Sequence, residues 1–123
     1  MKKLNILITQ YNESEKDISY LLDSISIQQN VNFDEIGILI CNDGSDILLS
    51  DDFLQSYPFD IQYFKEPHKG VSATRNFLLD KSNAEYVMFC DADDMFFNMC
   101  GLWIIFREML GEGFNAFSSV FMF

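Results

Sequence analysis

Residues Ile36-Gly37-Ile38-Leu39-Ile40-Cys41 carry no polar side chain on either of the two faces a strand presents. A sheet with one wet face alternates apolar and polar residues, so an unbroken run of this kind belongs to a strand covered on both sides. Asn42-Asp43-Gly44-Ser45 then closes it as a turn. Leu4 to Ile8 reads as a first strand that meets a polar loop at Thr9-Gln10-Tyr11-Asn12-Glu13. From Glu15 the period becomes helical, with Ile18, Leu21, Leu22 and Ile25 on one face, Lys16, Ser19 and Asp23 on the other, and Ser14 as N-cap. Residues 47–57 read as a weak helix or irregular link, and Ile61 to Phe64 as a third strand stopped by Pro67. Gly70-Val71-Ser72 opens a helix to Lys81, with Val71, Thr74, Phe77 and Leu78 facing inward. Tyr86 to Cys90 is a fourth strand, Asn98 to Leu110 a further helix, and Asn115 to Phe123 a last strand. This alternation predicts an α/β domain with a mainly parallel sheet and helices on both faces.

In such sheets ligands sit outside the carboxyl ends of the strands. Four polar constellations fall there: Thr9 to Asn12, Asn42 to Ser45, Pro67 to Arg75 and Asp91 to Asp94. Asp91-Ala92-Asp93-Asp94 follows an apolar strand directly, so Asp91 and Asp93 can converge while Asp94 turns away. Oxygen ligands of this type suit Mg²⁺ or Mn²⁺, which keep one or two protein carboxylates and complete their shell with water and phosphate. An acidic turn in an acidic protein is the plainer account of the same residues. At the start of the 70–81 helix, free N–H groups favour an anion, and Arg75 can add a bidentate contact or simply neutralise the nearby aspartates. Asp43 could accept from the ring N–H of a uracil and Tyr11 could stack on a base. Read alone, Asp43-Gly44 is a common turn pair and Tyr11 an amphipathic surface residue. His68, the only histidine, reads as a solvent-facing loop residue.

Eight Lys and Arg against nineteen Asp and Glu give a formal net charge of −11, which argues against a nucleic-acid groove or an anionic membrane surface. With 123 residues and 49% hydrophobic content, the chain has room for one domain with a real core. Cys41, Cys90 and Cys100 form an odd set with no C-x-x-C spacing, which predicts reduced thiols and a cytoplasmic location, including the inner face of the membrane. Met1-Lys2-Lys3 leads into an apolar run of about five residues with no small-residue cleavage site, so it reads as a strand and not as a signal peptide. The run Met99 to Phe106 is far short of the about 20 residues needed to span a bilayer.

Taken in order, T-x-Y-N-E, N-D-G-S, G-V-S-A-T-R-N and D-A-D-D resemble the family 2 glycosyltransferases of the GT-A, Rossmann-like fold. The resemblance runs from residue 4 to about residue 95. It implies transfer of a sugar from a nucleotide-diphospho-sugar donor, usually with inversion, with Mn²⁺ or Mg²⁺, as in polysaccharide biosynthesis. By position, Thr9, Tyr11 and Glu13 resemble the base-binding loop, Asp43 the uracil-reading carboxylate, and Arg75 the arginine near the diphosphate. Asp91 resembles the acid beside the ribose or donor sugar, and Asp93 the metal ligand, with Asp94 as a second candidate. Asn42 stands where many relatives have another Asp, which weakens the expectation of uracil.

Family members continue into an acceptor-binding half that carries the general base. Residues 1–123 are therefore expected to form a single donor-binding domain, the truncated N-terminal part of a longer enzyme. No catalytic base is expected within it, since Glu108 and Glu112 fall on or at the end of the expected 98–110 helix. A nucleotide-binding fragment without turnover is the alternative. An Asp-nucleophile phosphatase would place D-x-D-x-[TV] after the first strand, and a nicotinamide enzyme would carry G-x-G-x-x-G after a strand; neither pattern is present. In the last segment, Phe117, Phe121 and Phe123 share one strand face, while Ala116, Val120 and Met122 lie largely on the other. Two apolar faces predict self-association, most simply as a two-fold dimer, or else local disorder.

Overall fold

A computed structural model of the chain describes residues 1–96 and 99–102. Four strands, β1 (Leu4–Gln10), β2 (Ile36–Asp43), β3 (Asp60–Glu66) and β4 (Tyr86–Asp91), form one parallel sheet in the order β3-β2-β1-β4. Each strand outlasts the apolar run that announces it. Ladder bonds are made by the backbone, so Thr9 pairs with both Cys41 and Asp91, and Gln10 with Asn42, although side chains there have turned polar.

Helix α1 (Glu15–Ser26) starts on Ser14, whose hydroxyl accepts from the Asp17 N–H at 3.2 Å while the Asp17 carboxylate accepts from the Ser14 N–H at 3.0 Å. Its Ile18, Leu21, Leu22 and Ile25 are fully buried and pack with Leu4, Ile6, Ile8, Ile36, Ile38, Ile40, Met88 and Cys90. Within the 47–57 link, a short helix α2 (Asp51–Gln55) is capped by Ser50 and adds Leu54 to that core. The opposite face of the sheet, Leu7, Leu39 and Cys41, is covered by Leu78 of α3 (Val71–Lys81), with Phe77 edge-on to Phe64 at 5.4 Å. Helices therefore cover both faces, as the doubly apolar β2 requires. Val71 corrects the expected inner face of α3, being 48% exposed. It is the first helical residue and turns toward the strand ends, not the sheet.

After β4 the chain comes back against α1, where the Phe96 N–H donates to Ser24 Oγ at 3.0 Å and the Leu102 N–H to Gln28 Oε1 at 2.9 Å. The expected 98–110 helix, apart from residues 99–102, and the expected 115–123 strand with its dimer surface lie outside the described residues, as do Glu108 and Glu112. No described helix is long and apolar enough to cross a membrane.

Candidate active site

The strand order reverses beside β1: the chain moves outward from β1 to β2 and β3, then crosses back to place β4 on the other side. Loops leaving β1 and β4 at their carboxyl ends part at this point and leave a crevice. A cleft of about 380 Å³ opens there, lined by Thr9, Gln10, Tyr11, Glu13, Asp43, His68, Gly70, Val71, Thr74, Asp91, Ala92 and Asp93. Six of the eight residues singled out from the sequence line it; Arg75 and Asp94 do not, but each bonds to Asp91, which does.

Gln10 organises the β1 side from within. Wholly buried, it donates to the carbonyls of Glu13 and Ile47 at 2.8 and 3.0 Å and accepts from the Tyr63 hydroxyl at 2.8 Å. The Glu13 carboxylate accepts from the Tyr11 N–H at 2.7 Å, so Glu13 shapes the loop that presents Tyr11. Asn12 between them takes a φ of 73°, a conformation that its short polar side chain tolerates. On the β2 side, Asn42 is buried and spent on its own turn: Oδ1 accepts from the Ser45 N–H at 3.0 Å and hydroxyl at 2.7 Å, and Nδ2 donates to the Ser45 carbonyl. Asn42 is thus a structural residue here.

Asp43 ties the β2 turn to the loop before α3. Its Oδ1 accepts from the Lys69 N–H at 2.8 Å and its Oδ2 from the Gly70 N–H at 3.0 Å. His68 Nδ1 lies 3.0 Å from the same Oδ2 and 3.1 Å from the Asp43 carbonyl. Burial pushes this carboxyl up, yet the Lys69 and Gly70 N–H groups, with the Thr74 hydroxyl and His68, outweigh it and hold Asp43 below the usual carboxylate range. The His68 ring in turn stacks on Tyr11, with centroids 4.5 Å apart and planes at 28°. His68 is exposed, as expected of a loop residue, but it is held between two site residues. Its lack of a second histidine or cysteine partner hid this, because a pairing with backbone and a ring leaves no spacing in the sequence.

On the β4 side, burial alternates from Met88 to Asp93, so Asp91 and Asp93 do emerge on one face. Asp91 Oδ1 accepts from the Arg75 guanidinium at 3.1 Å and the Thr9 hydroxyl at 3.4 Å. Arg75 also lies over the Phe89 ring at 5.7 Å. Asp94 bends back on its own turn, its Oδ2 accepting the Asp91 N–H at 2.8 Å. Burial raises its pKa, with the N–H bond opposing and the Asp91 and Asp93 charges adding to the rise. No described residue bonds to Asp93, and no three described His, Cys, Asp or Glu side chains gather as a metal cage. A hard divalent cation that keeps only one or two carboxylates and takes the rest of its ligands from phosphate and water fits this donor set: Asp93 and the second oxygen of Asp91.

A family profile described as glycosyl transferase family 2 matches residues 5–111. The chain belongs to glycosyltransferase family 2. Among curated family relatives it is similar to a glycosyltransferase of Rickettsia bellii, described as uncharacterized (30% identity, 86% of this chain and 15% of the relative). It is also similar to the teichoic acid poly(glycerol phosphate) polymerase of Staphylococcus epidermidis (35% identity, 76% and 13%). The chain thus spans about one seventh of the length of these relatives. Among solved structures, Staphylococcus aureus TarS 1–349 in complex with UDP superposes with a TM-score of 0.73 at 25% identity, covering 89% of this chain and 32% of that one. A mannosyltransferase of Pyrobaculum calidifontis, in complex with GDP-Man and Mn²⁺, superposes with a TM-score of 0.75 at 19% identity, covering 89% and 32%, a likeness of fold. The all-parallel sheet with helices on both faces is the GT-A, Rossmann-like arrangement of these family members.

Proposed function

We propose that the chain is the donor-binding part of a longer glycosyltransferase and binds a UDP-sugar with Mn²⁺ or Mg²⁺ for inverting transfer to a saccharide or cell-surface glycan. One observation carries the reading: loops separated by up to 82 residues bring Tyr11, Asp43, Gly70, Asp91 and Asp93 to a single cleft at the switch point. The TarS complexes with UDP and with UDP-GlcNAc, 25% identical in sequence, support it. In this reading Tyr11 stacks on the base and Asp43 accepts a base N–H. The first turn of α3, whose cap Gly70 offers no side-chain partner to the N–H groups, receives the diphosphate. Asp93 and Asp91 would hold the cation, which supplies positive charge to the leaving diphosphate. Arg75 orients Asp91 and adds its own charge at the rim.

Calorimetry with UDP tests this directly. UDP is expected to bind in Mn²⁺ or Mg²⁺ and to lose most of its affinity in chelator, and Asp93→Ala should remove that metal dependence. Equal affinity with metal and with chelator would count against the cation, and GDP binding better than UDP would count against Asp43 as the base reader.

A further inference from the structure

Asp43 is the group expected to read the base, yet its side chain is only 7% exposed, and His68, 56% exposed, stands over it. A carboxylate oxygen offers two lone pairs. Those of Oδ2 are taken by the Gly70 N–H and by His68 Nδ1. Oδ1 accepts from the Lys69 N–H, and its remaining lone pair belongs to a side chain that His68 leaves only 7% exposed. The gap between Tyr11 and His68 offers no alternative, since rings at 4.5 Å are already in contact, whereas an inserted base needs roughly twice a stacking distance. We propose that His68 is the gate of the base subsite: it occupies the hydrogen-bonding and stacking positions that the base takes, and donor binding requires its ring to swing out. This rests on the nucleotide reading above.

His68 Nδ1 stands 3.0 Å from Asp43 Oδ2 and can donate to it, so the closed position is held by one bond and one ring contact. His68 is built to move: its loop is anchored by the backbone N–H groups of Lys69 and Gly70, so the ring can leave while the loop stays.

Calorimetric titration of UDP in Mn²⁺ against the parent and two His68 variants at one pH tests the gate. His68→Ala, which leaves the loop anchored but removes both the bond to Asp43 and the ring on Tyr11, should bind UDP several-fold more tightly than the parent, because the open state is then the only one populated. His68→Phe, which keeps a ring on Tyr11 but cannot bond to Asp43, should fall between the two. UDP binding that is unchanged or weaker in His68→Ala overturns the gate alone. Absence of UDP binding in the parent and in His68→Ala overturns the nucleotide reading, and the gate with it.

Discussion

At Gly44 the backbone φ is +83°, and a methyl group there would collide with the His68 backbone N and lie 2.9 Å from its Cα. At Gly70 φ is also positive, +96°, but nothing stands within 4 Å of where a Cβ would be. The two positions separate strain from collision. Gly70→Ala is expected to cost about 1 kcal/mol of stability from strain alone, and Gly44→Ala about 2–3 kcal/mol, as measured by urea unfolding. Equal losses would mean that the close approach of the two loops is not what selects Gly44. Gln10→Leu should cost about 1–3 kcal/mol, because it leaves the Glu13 carbonyl and the Tyr63 O–H without the partner Gln10 provides, and the Ile47 carbonyl with only the 3.4 Å bond from Asn42. Gln10 was not legible in the sequence. A polar residue closing an apolar run looks like the start of a loop, and its partners at Ile47 and Tyr63 are 37 and 53 residues away. Asp91 and Asp93 were legible, because the two-residue period of an extended segment puts them on one face without any tertiary information.

Among the elements, α1 shows which forces were readable. Its stripe of Ile18, Leu21, Leu22 and Ile25 and its Ser14 cap are local patterns, and both occur where the pattern places them. They differ in weight. Ser14→Ala is expected to cost about 1 kcal/mol, since the first turn is exposed and water replaces part of the cap. Leu22→Ala, fully buried between helix and sheet, should cost about 2–5 kcal/mol. Denaturation of both variants under one condition checks the ranking; a cap variant as damaging as the core variant would show that α1 is held from its end. In α3 the local pattern failed at Val71. A helical stripe assigns it to the sheet, but the first turn of α3 projects past the strand ends, where a cleft takes the place of a core. Strand lengths were underestimated for a related reason: parallel pairing continues through polar residues once neighbouring strands supply the ladder.

For the whole molecule, acid should cost stability at the junction of β2 with the α3 loop. Asp43 has a folded pKa below its unfolded value, so its contribution is complete above about pH 4 and is lost as pH falls through the folded value. The melting temperature of the parent should therefore fall more steeply below about pH 4 than that of Asp43→Asn, while Asp43→Asn should be the less stable protein near neutrality. Parallel acid limbs for the two proteins would place the acid sensitivity elsewhere. The sheet order has a further consequence, in time and not in space. Pairing of β1 with β2 closes a short crossover, whereas Thr9 and Asp91 must meet across 82 residues, the costliest closure in the sheet. The two walls of the cleft can therefore face each other only after β4 has docked, late on the folding path. A nucleotide spanning those walls would find nothing to hold in the transition state, so it should slow unfolding in proportion to its occupancy and leave the refolding rate unchanged.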